Sequence, residues 1–231
     1  MSVFKELKEQ CYKWNMELPG RGLVLYTFGN LSICDREKGV MAIKPSGVPY
    51  ETLTADDIVI LDLAGKTIEG DCRPSSDTNT HLVLYRQYPT IGSIVHTHST
   101  YAVSWAQALR SIPIYGTTHA DHCPGDIPCT EPMSDEAIQR DYETETGNQI
   151  VNTLGDKSPD EYQMIIVGSH GPFTWGKNAE KAVYNAVVLE ELAKMAFLTH
   201  SIHPDVPRLK PGILRKHYER KHGANAYYGQ K

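Results

Sequence analysis

The chain has 231 residues, of which 40% are hydrophobic and 22% are charged, and its formal net charge is −5. This length and composition predict a globular protein with a substantial core, and the negative charge argues against a nucleic-acid-binding protein, which normally carries a basic face. No Cys-x-x-Cys pair occurs among the five cysteines, so neither a thiolate metal site nor a disulfide framework is predicted.

The N-terminus lacks the apolar core of a secretory signal, and no stretch approaches the roughly 18 apolar residues that a membrane span needs. We therefore expect a cytoplasmic protein with reduced thiols. The sequence shows no internal repeat, low-complexity segment or linker, which predicts a single domain over residues 1–231.

Helix-like and strand-like segments are mixed along the chain, which predicts an α/β fold. The predicted helices, in chain order, are 3–18, 78–88, 99–112, 134–154 and 178–199. Ser134 and Asn178 are predicted to cap the last two helices. The predicted strands are 23–27, 40–43, 58–63, 93–98 and 164–167. The pattern alone does not determine the order of the strands in the sheet.

Two histidines, His96 and His98, lie at the end of the β-like run 93–98. Side chains two residues apart in a strand share a face, so the two imidazoles can converge on one ion. Burying paired imidazoles without partners is costly, which favours a metal site over histidines that contact nothing. His170 follows a second predicted strand and is a third candidate ligand. Asp77, at the start of a predicted helix, is by its pattern alone an N-cap residue.

Other candidate site residues lie in turns and at the C-terminus. The turns at 29–30, 44–47 and 75–76 could bind an anion through backbone amides and hydroxyls, although each is otherwise an ordinary loop. Asp121 is a candidate acid/base group if burial raises its pKa, and a turn aspartate is the simpler interpretation. Tyr228 would by position alone belong to a frayed chain end.

Short segments spread over nearly the whole chain carry a family resemblance. They are Gly29-Asn30, Lys44-Pro45-Ser46-Gly47, Ser75-Ser76-Asp77, His96-Thr97-His98, Thr117-Thr118-His119-Ala120-Asp121, Ser169-His170-Gly171-Pro172 and Ala226-Tyr227-Tyr228. Together they resemble the L-ribulose-5-phosphate 4-epimerase family of the class II aldolase/adducin-head superfamily. The resemblance implies a three-layer αβα domain with a largely antiparallel central sheet, assembled as a homotetramer with active sites at the subunit interfaces.

The resemblance also implies a role for each matched residue. The implied ligands of Zn2+, or of another divalent ion such as Mn2+ or Co2+, are Asp77, His96, His98 and His170. The implied substrate-binding and supporting residues are Gly29, Asn30, Lys44, Ser46, Gly47, Ser75, Ser76, Thr117, Glu143 and His217. The implied proton-transfer pair is Asp121 and Tyr228, with Tyr228 reaching into the site of a neighbouring subunit.

The implied activity is the interconversion of L-ribulose 5-phosphate and D-xylulose 5-phosphate by retro-aldol cleavage and re-formation of the C3–C4 bond. The alternatives are a class II sugar-phosphate aldolase of the fuculose or rhamnulose type and, more remotely, a non-catalytic adducin-head-like scaffold. Aldolases of this superfamily typically carry glutamate where Asp77 stands, and a scaffold would lose the histidine set that this chain keeps. The aspartate at position 77 and the retained histidines therefore both favour the epimerase.

Two positions depart from the family pattern. Phe28 stands where relatives usually carry tryptophan, which changes the packing beside the turn at 29–30. His122-Cys123-Pro124 stands where relatives tend to carry aromatic residues. His122 is interpreted as a wall residue of the acid/base region rather than as a competing metal ligand.

Overall fold

A seven-stranded sheet forms the centre of the computed structural model, which describes residues 2–224 and 226–228. Its strands are β1 (Asn30–Asp35), β2 (Val40–Ile43), β3 (Val59–Asp62), β4 (Thr67–Glu69), β5 (Ser93–His96), β6 (Met164–Ile166) and β7 (Pro172–Gly176). They are arranged in the order β4-β3-β2-β1-β5-β7-β6, and each neighbouring pair is antiparallel. The predicted antiparallel α/β fold is confirmed.

Helices cover both faces of this sheet. They are α1 (Lys5–Gly20), α2 (Thr78–Gln87), α3 (Thr100–Gln107), α4 (Thr117–Ala120), α5 (Asp135–Leu154), α6 (Ala179–Ile202) and α7 (Pro211–His222). Because side chains alternate along a strand, Ala42 packs in a core with α1 and α6, whereas its neighbours Met41 and Ile43 pack in a core with α2 and α5. The result is the predicted three-layer αβα architecture.

The strand predicted at 23–27 is wrong. Tyr26 has a φ of +52°, in the left-handed region that a strand cannot contain, and its side chain is exposed. The strand lies instead at Asn30–Asp35, where polar residues obscured the pattern. Buried Asn15 of α1 fixes its start, since the Leu31 amide donates to Asn15 Oδ1 (2.9 Å) and Asn15 Nδ2 donates to the Leu31 carbonyl (3.0 Å).

The helix predicted over 134–154 is interrupted at Asp141, whose φ of −167° and ψ of 90° are not helical. The Asp141 carboxylate accepts hydrogen bonds from the Thr144 amide (3.1 Å) and hydroxyl (2.7 Å), so this residue caps a new helical segment inside α5. The predicted caps Ser134 and Asn178 are confirmed, because each side chain accepts a hydrogen bond from the amide three residues further on.

Four further elements were not predicted: β4, β7, α4 and α7. Strand β7 follows Gly171, begins with Pro172 and ends with Gly176, and these residue types usually mark turns rather than strands. Among the described residues, no helix combines the length and the apolarity needed to cross a bilayer.

Candidate active site

A cavity of about 410 Å3 gathers most of the predicted site residues. Its walls come from the start of β1, the turn after β2, the segment before α2, the end of β5, the interruption in α5 and the loop before β7. The lining residues are Thr27, Phe28, Gly29, Asn30, Lys44, Pro45, Ser46, Gly47, Ser75, Ser76, Asp77, His96, His98, Tyr142, Glu143 and His170. The predicted site residues outside it are Thr117, Asp121, His217 and Tyr228.

Three histidines converge in this cavity. His96, His98 and His170 each offer a ring nitrogen, and these ligand atoms all lie within 4.8 Å of one another. The Nε2 atoms of His96 and His98 are 3.0 Å apart. Strand β5 ends at His96, so His98 lies beyond the strand in which its position was predicted, yet the two rings still meet. The spacing of these nitrogens fits one divalent cation with imidazole ligands.

The protonation of the rings also suits a metal. Nδ1 of His96 lies 2.9 Å from the Pro172 carbonyl oxygen, to which it must donate, so Nε2 is the nitrogen that remains to bind an ion. Burial, reinforced by charge at His96, lowers the pKa of His170 to about 4, and the same causes lower the pKa of His98. Metal ligation needs neutral imidazoles, which the lowered pKa values of His98 and His170 favour at neutral pH.

Asp77 lies in the same cavity, but its carboxylate does not cap α2. Asp77 occupies the N-cap position of α2, as its pattern predicted, but its carboxylate accepts a hydrogen bond of 2.7 Å from Asn30 Nδ2 rather than from a helix amide. Burial opposes ionisation of this carboxyl, but the imidazoles around it and the Asn30 amide outweigh burial and lower its pKa. Among the described residues, the ligand atoms that all lie within 4.8 Å of one another belong to the three histidines, and Asp77 is not in this group. A fourth ligand at Asp77 stays a prediction.

Two of the predicted anion-binding turns, at 44–47 and 75–76, are held side by side by backbone hydrogen bonds. The Ser46 amide donates to the Arg73 carbonyl (2.9 Å), and the Ser75 amide donates to the Lys44 carbonyl (3.1 Å). Lys44 is buried, and its ammonium donates to the Val48 carbonyl (2.6 Å), which fixes the turn. Burial lowers the pKa of Lys44 to about 8, so most of its charge remains at neutral pH. The amides of Ser46 and Ser75 are thus engaged within the protein, and the positive charge and the serine hydroxyls are the features that suit a phosphate group.

Gly29 makes the closest backbone approach in the site. Its φ is +73°, and a Cβ atom there would lie 2.7 Å from Val24 Cγ1 and 2.8 Å from the carbonyl oxygen of His96. Only glycine fits both this conformation and this contact. The turn at 29–30 is thereby held against the end of β5 that carries His96.

Gly29→Ala is expected to lower the free energy of unfolding by roughly 3 kcal/mol, because left-handed strain and a steric clash add together. Gly39→Ala is the matched control: its φ is +66°, but no heavy atom lies within 4 Å of the added Cβ. That variant should lose only about 1 kcal/mol. Urea unfolding of both variants measures the difference. Equal losses would show that the approach of Gly29 to β5 is not tight.

Asp121 lies outside the cavity, in a cluster with α7. Its carboxylate accepts hydrogen bonds from Arg220 Nε (3.0 Å) and Nη2 (2.6 Å) and from His217 Nδ1 (3.1 Å). Burial raises the pKa of Asp121, but the hydrogen bonds from Arg220 and His217 outweigh burial and lower it. The expectation that this pKa would be raised is therefore wrong, because the sequence did not reveal the two hydrogen-bond donors, Arg220 and His217.

Tyr228 belongs to the same cluster. Its ring lies 4.9 Å from Arg220 Cζ and 4.6 Å from Lys221 Nζ, and 59% of its surface is exposed. Thr117 is the first residue of α4, and its carbonyl accepts a hydrogen bond from the Asp121 amide (2.9 Å). The predicted site residues thus divide into two groups, one around the histidines and one where α4 meets α7.

Tyr142 is a cavity residue that the sequence analysis missed. Its hydroxyl lies 3.4 Å from Nδ1 of His170, and it follows the interruption at Asp141 directly. The spacing Asp141-x-x-Thr144 is an N-cap pattern that could have indicated this position.

His122 contacts Thr118 O through Nδ1 and the Tyr184 hydroxyl through Nε2, both at 2.7 Å, so both of its nitrogens are engaged. This supports the interpretation of His122 as a wall residue rather than a metal ligand.

Residues 9–197 match the class II aldolase and adducin N-terminal domain family, which is more than half of the chain. The chain belongs to this family. An L-fuculose 1-phosphate aldolase shares its fold with a TM-score of 0.79 at 25% identity, over 95% of this chain and 97% of that one.

Two more distant structures share the class II aldolase fold. YgbL of Klebsiella pneumoniae, for which aldolase, epimerase and decarboxylase activities are named as candidates, has a TM-score of 0.70 at 24% identity, over 94% of this chain and 99% of its own. The L-fuculose 1-phosphate aldolase of Glaciozyma antarctica PI12 has a TM-score of 0.77 at 19% identity, over 96% of this chain and 84% of its own.

Proposed function

We propose that this class II aldolase family member is a zinc-dependent L-ribulose-5-phosphate 4-epimerase that forms D-xylulose 5-phosphate. The observation that carries the proposal is the shared cavity, in which three convergent histidines lie beside a turn with a buried lysine. Its volume of about 410 Å3 falls in the range of small-ligand sites, roughly 300–1,000 Å3.

The chemistry follows from the substrate. The hydrogen on C4 is not acidic, whereas loss of the C4 hydroxyl proton permits cleavage between C3 and C4, with the bonding electrons passing towards the C2 carbonyl. A divalent ion held by His96, His98 and His170, with Asp77 as a further ligand, supplies Lewis-acid stabilisation of that charge when it is bound.

The turns at 44–47 and 75–76 are assigned to phosphate binding. Lys44, Ser46 and Ser75 hold the phosphate of the aldehyde fragment while its carbonyl group rotates, and re-formation of the C3–C4 bond on the other face inverts C4. A fragment that is held at one end is not lost to solvent during the rotation, which distinguishes an epimerase from an aldolase that releases both fragments.

Inversion needs a proton-transfer group on each side of the aldehyde, and we assign Asp121 and Tyr228 to this task. Both lie outside the cavity of their own chain. Helix α7 buries none of its residues, and Tyr228 is mostly exposed, so this end of the chain has surface to offer a second subunit. We propose a homotetramer in which α7 and the residues after it complete a neighbouring site.

A class II sugar-phosphate aldolase is the second candidate, favoured by the similarity to an L-fuculose 1-phosphate aldolase. Against it stands the short Asp77 carboxylate, which is held at 2.7 Å by Asn30 and lies beside the histidines. The resemblance to the epimerases links an aspartate at this position to a metal ligand, and a glutamate to the acid/base group of an aldolase.

Zinc-loaded protein is expected to convert L-ribulose 5-phosphate into D-xylulose 5-phosphate without accumulating free glycolaldehyde phosphate. Treatment with a chelator should abolish turnover, and added Zn2+ should restore it. Phosphorus NMR resolves the substrate, the product and the fragment in one experiment. Stoichiometric release of glycolaldehyde phosphate would favour the aldolase, and full activity after verified metal removal would refute the role of the ion.

A further inference from the structure

Arg220 contacts both residues that are assigned to proton transfer, Asp121 and Tyr228. It lies in the last turns of α7 and grips the Asp121 carboxylate with two donors, Nε to Oδ1 at 3.0 Å and Nη2 to Oδ2 at 2.6 Å. A two-point contact of this kind fixes both the position and the plane of a carboxylate, which a lysine cannot do.

The same residue also holds the segment that carries Tyr228. The Arg220 carbonyl oxygen accepts hydrogen bonds from the amides of Tyr227 (3.0 Å) and Tyr228 (3.1 Å). The Arg220 guanidinium carbon lies 4.9 Å from the centre of the Tyr228 ring, within the range of a cation–π contact. One guanidinium therefore touches both Asp121 and Tyr228.

The charged and titratable groups around Asp121 come from several elements. Helix α7 supplies His217, Arg220 and Lys221, and the side chain of His222 contacts the Asp121 carbonyl oxygen at 2.9 Å. Helix α6 supplies Tyr184, and the loop after α4 supplies His122. The cations among them favour the carboxylate form, so burial to 8% exposure does not neutralise Asp121.

We propose that Arg220 is a positioning residue whose guanidinium contacts the Asp121 carboxylate and the Tyr228 ring, so that the two proton-transfer groups are held at a fixed separation from which they can flank the aldehyde. This inference rests on the proposed epimerase function. It implies that position 220 needs both the paired N–H donors of a guanidinium and its positive charge.

Arg220→Met is expected to lower kcat by roughly 100-fold while KM and zinc content change by less than about threefold, because the acid/base step loses its geometry. The acid limb of the pH profile of kcat should move up by about one pH unit or more, since Asp121 loses its main counter-charge. Arg220→Lys should restore kcat only in part. Arg21→Met is the matched control, because Arg21 is exposed after α1, outside both groups of site residues, and should be dispensable.

An unchanged acid limb in Arg220→Met, or a kcat within about threefold of wild type, would overturn the proposal. A second measurement does not depend on any activity: NMR titration of protein labelled with 13C at the aspartate carboxyls, with Asp121→Asn used to assign the resonance. The midpoint of Asp121 should rise by about one pH unit or more in Arg220→Met. An unshifted midpoint would refute the pairing, whereas an inactive wild-type protein with the shifted midpoint would refute only the epimerase function.

Discussion

His96→Ala is expected to abolish zinc binding and to lower turnover by at least roughly 1,000-fold. The ring of His96 provides the central member of the histidine group, 3.0 Å from Nε2 of His98 and with its other nitrogen fixed by the Pro172 carbonyl. Lewis-acid stabilisation contributes several kcal/mol, and each 1.36 kcal/mol of barrier changes the rate tenfold. Elemental analysis of dialysed protein and steady-state kinetics measure the two effects.

His203→Ala provides the matched control, because His203 is exposed at the end of α6. It should keep both zinc and activity. Circular dichroism of His96→Ala would show whether the fold survives, since His96 is 1% exposed and its removal leaves a space beside Phe173. A folded His96→Ala protein that retains a full equivalent of zinc and normal turnover would rule out His96 as a ligand.

Tyr228→Phe is expected to lower kcat by roughly 100- to 10,000-fold without loss of zinc, because a missing proton donor affects the chemical step and not the metal. The hydroxyl is the only group removed, and the ring keeps its contact with Arg220. Zinc content and kcat, measured on the same preparation, separate the two properties.

The adjacent tyrosine gives a closely matched control. Tyr227 is also exposed, and its ring lies 5.4 Å from Lys216 Nζ. Tyr227→Phe should stay within about threefold of wild type. If the two variants lose the same activity, or if Tyr228→Phe loses zinc and turnover in parallel, then Tyr228 has no specific part in proton transfer.

The histidine group could be predicted because its signals are local. A buried run followed by His96-Thr97-His98 places two imidazoles together almost regardless of where the strand ends. The Gly-Pro turn directly after His170 restricts the position of the third imidazole. The turns at 44–47 and 75–76 were also visible, but their convergence was not. It depends on backbone hydrogen bonds between segments about thirty residues apart, for which a single sequence carries no signal.

The acid/base region was predicted less well because its properties depend on long-range partners. Asp121 was expected to have a raised pKa through burial, and its ion pair with Arg220, 99 residues along the chain, reverses the direction. The interruption of α5 was missed for a different reason: helix-like composition hid Asp141, whose capping of Thr144 directs Tyr142 into the cavity. Strand β1 was misplaced because Asn30 and Ser32 make a buried strand look polar.

The fate of the C4 hydrogen of L-ribulose 5-phosphate during turnover in D2O tests the proposed reaction most directly. Cleavage and re-formation of the C3–C4 bond never breaks the bond between C4 and its hydrogen, so NMR should show D-xylulose 5-phosphate with protium at C4. Deuterium at C4 would mean direct deprotonation and would contradict the cleavage reaction, and failure to form any D-xylulose 5-phosphate with zinc bound would contradict the epimerase itself.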